Sequence, residues 1–189
     1  MRPFAGYLSN MLARMFHREC IIRACRKRDL PAFRDLLARY FREDLQLPLN
    51  DEQADDLAED IYAETRIGVV LELAFFRGEP VGFINHQTDH PSSSWCFHPG
   101  WRCIRELYVL PEHRGHGIAA ALVARAAAAA ERTNAPALYL TADDAIPFWE
   151  HLGFVRSGRI NEKKGLEELE RPLCPGYHLI FSLPKTRLQ

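Results

Sequence analysis

The chain has 189 residues, 47% of them hydrophobic, enough to bury a sizeable core within one domain. Its formal net charge of −1 excludes a protein that holds nucleic acid by bulk electrostatics. Five cysteines without a C-x-x-C pair fit reduced thiols in the cytoplasm better than a disulfide framework, and no apolar run approaches the roughly 20 residues of a membrane span.

Residues 1–19 form an N-terminal extension ahead of a domain at 20–189. Leu8, Met11, Leu12, Met15 and Phe16 follow helical spacing, and Arg14 and Arg18 make the segment basic. Such a helix suits a membrane surface or a transit peptide. A helix packed on the domain, a subunit contact, or a true start at Met11 or Met15 are the plainer readings and are preferred. No membrane partner is expected.

Residues 20–25 (CIIRAC) read as a first strand. Asp29 then looks like a helix cap, with Pro31 in the first turn. Phe33, Leu36, Leu37, Tyr40 and Phe41 form one apolar stripe that packs on a sheet. Asn50 and Gln53 resemble a capping box opening a second helix, whose inner face is Ala54, Leu57, Ala58 and Ile61. Around it run Glu43, Asp44, Asp51, Glu52, Asp55, Asp56, Glu59, Asp60 and Glu64, with no Lys or Arg between Arg42 and Arg66. A solvated face is the plain account, and attraction of a cationic acceptor is the functional one.

Residues 68–76 and 81–87 are rich in strand formers and flank a turn at 77–80, so they predict an antiparallel hairpin. Residues 86–101 (HQTDHPSSSWCFHPGW) read as a long loop with three aromatics, either lining a site or covering one sheet end. His86, His90, Cys96, His98 and Cys103 are zinc-ligand types, but their spacing fits no closed pattern and no metal is expected.

Residues 103–132 then run CIRELYVL, PEHRGHG and IAAALVARAAAAAER: a strand, a glycine turn and an alanine-rich helix. A turn of this kind presents unpaired N–H groups and the positive end of the helix dipole, which suits phosphate. Gly115, Gly117 and Ala120 also spell the dinucleotide pattern G-x-G-x-x-A. That pattern puts its first glycine at the strand end, whereas Pro111, Glu112, His113 and Arg114 intervene here. A purely structural turn is the third reading. Residues 137–141 (ALYLT) predict a strand parallel to the central one, because a helix joins them. Asp144 can cap a helix with Pro147 in its first turn and Gly153 at its end, and residues 154–160 and 177–183 read as closing strands.

Two stretches carry a resemblance. Arg114, Gly117 and Ala119 meet the pattern Arg/Gln-x-x-Gly-x-Gly/Ala, and Ala145, Phe148, Gly153 and Phe154 meet Ala-x-x-Phe-Tyr-x-x-x-Gly-Phe. Together, in this order, they resemble the GNAT superfamily of N-acyltransferases over roughly residues 20–185. The resemblance implies an α/β (α+β) GNAT fold: a mixed, mostly antiparallel seven-stranded sheet with a splayed central parallel pair and about four helices. It also implies acetyl-CoA as cosubstrate and dimers as a frequent assembly. By the same resemblance the backbone of Leu107, Tyr108 and Val109 pairs with pantetheine, and an N–H at or near Val109 polarises the acyl carbonyl. Arg114, Gly115, His116, Gly117, Ile118 and Ala119 would cradle the pyrophosphate, with Phe148 and Trp149 beside the cofactor.

Acyl transfer to an amine needs a base, since an alkyl ammonium is protonated at neutral pH. Glu106 stands on the central strand where many members of the family carry an acid, and it is the expected base; a structural ion pair is its alternative role. The family's tyrosine acid is Trp149 here, whose indole has no useful acidity, so Tyr108 or Tyr139 would have to serve. The family's asparagine before the second motif is Ala142, and His151 reads as a solvated helix residue. The expected activity is therefore acetyl transfer from acetyl-CoA to a primary amine of a cationic small molecule. A protein or peptide acceptor, or a non-catalytic acyl-CoA-binding module, are the alternatives.

Overall fold

The computed structural model describes residues 20–93, 96–142 and 145–173. The expected helix before Cys20, the loop residue Trp95, the cap at Asp144 and the closing strand at 177–183 lie outside the described residues. In chain order the elements are β1 (Cys20–Ala24), α1 (Leu30–Glu43), α2 (Asp51–Glu64), β2 (Val70–Phe76), β3 (Glu79–Thr88) and β4 (Arg102–Val109). Then follow α3 (Ile118–Arg132), β5 (Ala137–Thr141), α4 (Ile146–His151), β6 (Val155–Asn161) and β7 (Leu166–Pro172). The strands form one seven-stranded sheet in the order β1-β2-β3-β4-β5-β7-β6. β4 and β5 are parallel, with Arg102 beside Leu138 and Cys103 beside Tyr139, while β1–β2, β2–β3, β5–β7 and β6–β7 are antiparallel.

Three local expectations change. A strand the sequence reading lacked, β7, forms at Leu166–Pro172. β3 runs to Thr88, one residue beyond the expected strand, so the loop expected from 86 begins at Asp89. Asp29 stands at the head of α1 but makes no side-chain cap there. Instead its carboxylate accepts from Arg26 N at 2.9 Å and from Arg23 at 2.5 and 2.9 Å, tying the turn back to β1. The Arg23 hydrogen bond, then that of the Arg26 backbone, hold its carboxyl at about 2 against the upward push of burial. By contrast the Asn50–Gln53 capping box forms in full, at 2.9 and 3.0 Å.

The chain divides into two units. The first holds the described residues up to Gln87 with Arg105–Arg125, and the second holds Thr88–Ile104 with the described residues from Ala126 onward. In the first unit α1 buries Phe33, Leu36 and Leu37, as its stripe predicts, and Phe33 meets Phe83 of β3 edge to face at 5.1 Å. α2 buries Ala54, Ala58 and Ile61, with Leu57 half-buried. Where β3 approaches β4 only glycine fits: a Cβ on Gly82 would stand 2.6 Å from the Tyr108 carbonyl oxygen and 3.2 Å from Val109 Cα. Beside it, Leu110 N donates to Val81 O at 2.9 Å.

On the other sheet face of this unit a buried carboxylate meets an exposed guanidinium. Glu72 of β2 is 6% exposed and accepts from Arg125 of α3 at 2.8 and 2.5 Å. Burial pushes its carboxyl up, but His86, whose Nε2 lies 4.0 Å away, and the Arg125 guanidinium outweigh this and hold it at about 2. A carboxyl depressed in the folded state adds stability above its unfolded value near 4.5, and that stability is lost as pH falls towards 2. The difference in unfolding free energy between wild type and Glu72→Gln is thus expected to be largest above pH 5, at most about 3 kcal/mol, and to shrink on acidification. Urea titrations at several pH values check this, and a pH-independent difference would contradict it.

In the second unit Asp89 organises the loop before β4. Its Oδ2 accepts from Phe97 N at 2.9 Å, from His98 N at 3.0 Å, and from the buried Tyr139 hydroxyl of β5. Trp101 packs on Ala137 and Tyr139 with Phe97 and Cys103 around it, so the aromatics described here cover the sheet.

Candidate active site

The glycine turn and the residues that precede it all belong to the first unit. After β4 a short 3-10 turn at Pro111–His113 leads to Gly115 and Gly117, with φ of +77° and +81°. Both are left-handed conformations that disfavour any residue with a Cβ, and open space surrounds each position. Helix α3 begins at Ile118, and its first i→i−4 bond runs from Ala121 N to Gly117 O at 3.0 Å. The N–H groups of Ile118, Ala119 and Ala120 therefore have no intrahelical acceptor and gather at the positive end of a 15-residue helix. Open space, positive φ and N–H groups without an intrahelical acceptor suit a phosphate group.

Arg114 braces this turn. Its Nε donates to Val109 O at 2.8 Å, its Nη2 reaches both carboxylate oxygens of Asp44 at 2.9 and 2.8 Å, and its guanidinium lies over the Tyr108 ring. The arginine of the first motif thus fixes the end of β4 to the end of α1. His116 is exposed, and Ile118 is buried under the turn.

On β4, Glu106 and Tyr108 share one strand face and meet α1 residues one helical turn apart. The Tyr40 hydroxyl donates to Glu106 Oε2 at 2.5 Å, and the Tyr108 hydroxyl donates to Glu43 Oε2 at 2.7 Å. Arg105 is turned to Glu64 at 2.5 Å. Tyr108 is 1% exposed, and burial followed by the Glu43 carboxylate pushes its hydroxyl up, making it a weak acid. Glu43 in turn is held at about 2, by Tyr108 first and then Arg39. Glu106 and Tyr40 are only half-buried. Tyr139, the other acid considered from sequence, is buried in the second unit with its hydroxyl on Asp89 and is pushed up by that burial.

Tyr40 is the residue the sequence reading missed, because it looks like one more apolar member of the α1 stripe. A signal was present: Tyr40 and Glu43 stand i, i+3, the spacing that lets two side chains reach one strand face. Much of the acidic run is neutralised by arginines. Arg34 bonds Asp51 and Asp55 at 2.5 and 3.0 Å, Arg39 bonds Glu43, Arg105 bonds Glu64 and Arg114 bonds Asp44. Glu52, Asp56, Glu59 and Asp60 are exposed on α2.

The second motif has its own physical logic. Phe154 N donates to Trp149 O and Gly153 N to Glu150 O, at 3.1 and 3.0 Å, closing α4 with a Schellman motif around Gly153 at φ +85°. Trp149 packs on Phe154 at 5.3 Å and on Phe148 at 5.0 Å. Trp149 is thereby 8% exposed, Phe148 is half-buried and His151 is exposed. Among the described residues no group of three or more His, Cys, Asp or Glu side chains is placed to hold a metal ion, and no helix is long and apolar enough to cross a membrane.

Known proteins share this architecture. The PaiA N-acetyltransferase of Thermoplasma acidophilum, solved with coenzyme A, aligns with a TM-score of 0.61 at 14% identity, over 82% of this chain and 99% of its own. A ribosomal-protein-alanine N-acetyltransferase from Brucella melitensis gives 0.63 at 20% identity, over 81% and 99%. A GNAT family acetyltransferase from the same organism, solved with acetyl-CoA, gives 0.59 at 18%, over 82% and 89%. No curated protein sequence matches the chain. The Acetyltransferase (GNAT) family model matches residues 30–154, more than half of the sequence and both of its motifs. By that match, and with the sheet and glycine turn it requires, the chain belongs to the GNAT acetyltransferase family.

Proposed function

We propose that this protein transfers an acetyl group from acetyl-CoA to the primary amine of a cationic small molecule. The observation that carries the reading is the Tyr40–Glu106 hydrogen bond, which holds a carboxylate on β4 immediately before the segment leading to the glycine turn. In this reading the backbone of Leu107, Tyr108 and Val109 binds pantetheine. The N–H groups from Gly115 to Ala119 bind the pyrophosphate. Glu106 takes a proton from the bound ammonium, freeing the nitrogen lone pair to attack the thioester carbonyl, whose developing negative charge a backbone N–H near Val109 stabilises. The preference for a cationic acceptor is supported by the exposed carboxylates Glu52, Asp56, Glu59 and Asp60 on α2.

Thiol release from acetyl-CoA, measured against a panel of polyamines, aminoglycosides and peptides with free N-termini, tests this reading. Release with the cationic small molecules supports it. Release with peptides alone would replace the acceptor class, and no release with any amine would leave a binding module.

A further inference from the structure

We infer that Tyr40 is the acid that protonates the departing coenzyme A thiolate, taking its replacement proton from Glu106. The inference rests on the reading of Glu106 as base and adds the route by which the proton leaves it.

The second motif carries Trp149 where the reaction would need an O–H, and an indole N–H has no useful acidity. The described tyrosines narrow the choice. Tyr139 is buried on Asp89 in the other unit, and Tyr108 is buried on Glu43 with its hydroxyl made a weaker acid by both. Tyr62 lies on α2 and is half-buried. Tyr40 alone of these donates to Glu106, at 2.5 Å, and it keeps part of its surface open. Its ring is fixed by Phe41, Phe83 and Tyr108, with centroids 5.6, 6.0 and 5.6 Å away, so the hydroxyl has one supported position.

The pair is ordered by its own electrostatics. While Glu106 is ionised, donating to a carboxylate keeps the Tyr40 proton in place. Once Glu106 has taken a proton from the ammonium, that restraint is gone. The nitrogen lone pair then forms the C–N bond, and the C–S bond breaks with its electron pair on sulfur. Tyr40 gives its proton to sulfur while Glu106 returns the captured proton to the phenolic oxygen. The second proton of the acylated nitrogen goes to water. One proton has moved from ammonium to thiol, one has been released, and both side chains are restored.

Tyr40→Phe tests this, since it keeps the ring and its packing. With acetyl-CoA the variant is expected to lose about 100-fold in kcat, the range of a general acid. With the acetyl thioester of a nitrobenzenethiol, whose thiolate needs no proton, the loss is expected to be about threefold or less. A second readout needs no acceptor: in a Glu106→Gln background, where no carboxylate competes for the Tyr40 proton, the thiol of bound coenzyme A, titrated by thiolate absorbance, is expected to have a higher pKa by about one unit when Tyr40→Phe is added, because a donor to the thiolate is gone. Equal losses with both donors, or an unshifted thiol titration, would reduce Tyr40 to a positioning residue and overturn the inference. Wild-type protein that releases no thiol with any amine would instead remove the proposed function, while the thiol titration would still judge Tyr40.

Discussion

Gly117→Trp is expected to weaken acetyl-CoA binding more than 100-fold, to below detection by calorimetry at ordinary concentrations. Two effects act on the same position. Gly117 sits at φ +81°, where an L-residue costs about 1–2 kcal/mol. That cost is paid in the free protein too, and an added Cβ would have no other atom within 4 Å. The large term is therefore steric and electrostatic exclusion, since the indole takes the volume in front of the α3 N-terminus that a pyrophosphate must enter. Gly78→Ala provides the control. It also sits at positive φ, +90°, with open space around it, but lies in the β2–β3 turn. It is expected to lose similar stability and leave affinity unchanged. Gly117→Trp protein that binds acetyl-CoA with wild-type affinity would overturn the glycine turn as the phosphate seat.

The sequence made this turn legible because its causes are local. Glycine at positive φ, an alanine-rich helix start and a preceding apolar strand are each set within a few residues. The Asn50–Gln53 box and the 137–141 strand were readable for the same reason. What escaped was set at long range. β7 reads LEELERP, too charged to pass for a core strand, yet Glu168 and Glu170 are 4% and 7% exposed. They can be buried because Arg159 bonds both and His98 bonds Glu168 at 2.8 Å, so partners on other segments replace the apolar alternation a strand search looks for. The same holds for Asp29, whose capping role is displaced by Arg23 from β1, a partner no local pattern announces.

The candidate site divides along the same line. Arg114, Gly117 and Ala119 were singled out by the motif they resemble. Glu106 was singled out because it stands on the strand before them, but its hydrogen-bond partner Tyr40 is 66 positions away and was hidden by its apolar neighbours. An acidic run that looked like one field is in part a set of ion pairs, several of them closed by an arginine from another element. Charge patterning in sequence counts residues, and only the fold shows which charges remain unpaired.

Glu106→Gln is expected to lower kcat/KM by about 100-fold or more at neutral pH, with the loss shrinking as pH rises. The amide keeps the shape of the side chain and can still accept from Tyr40, so the β4–α1 contact and the fold are expected to survive, with an unchanged melting temperature as the check. What it removes is a proton acceptor. A free alkyl ammonium ionises near 10.4, so at neutral pH fewer than about one amine in a thousand attacks unaided. Each unit of pH raises that fraction about tenfold until it saturates, and the variant's rate should climb with it while the wild type stays nearly level. Affinity for acetyl-CoA, which the proposed reading assigns to the glycine turn, should not change. A variant profile parallel to wild type at every pH would remove Glu106 as base and leave the Tyr40–Glu106 bond a structural link. A profile that converges on wild type at high pH would assign deprotonation of the amine to Glu106, because an alkaline medium supplies that step and no other.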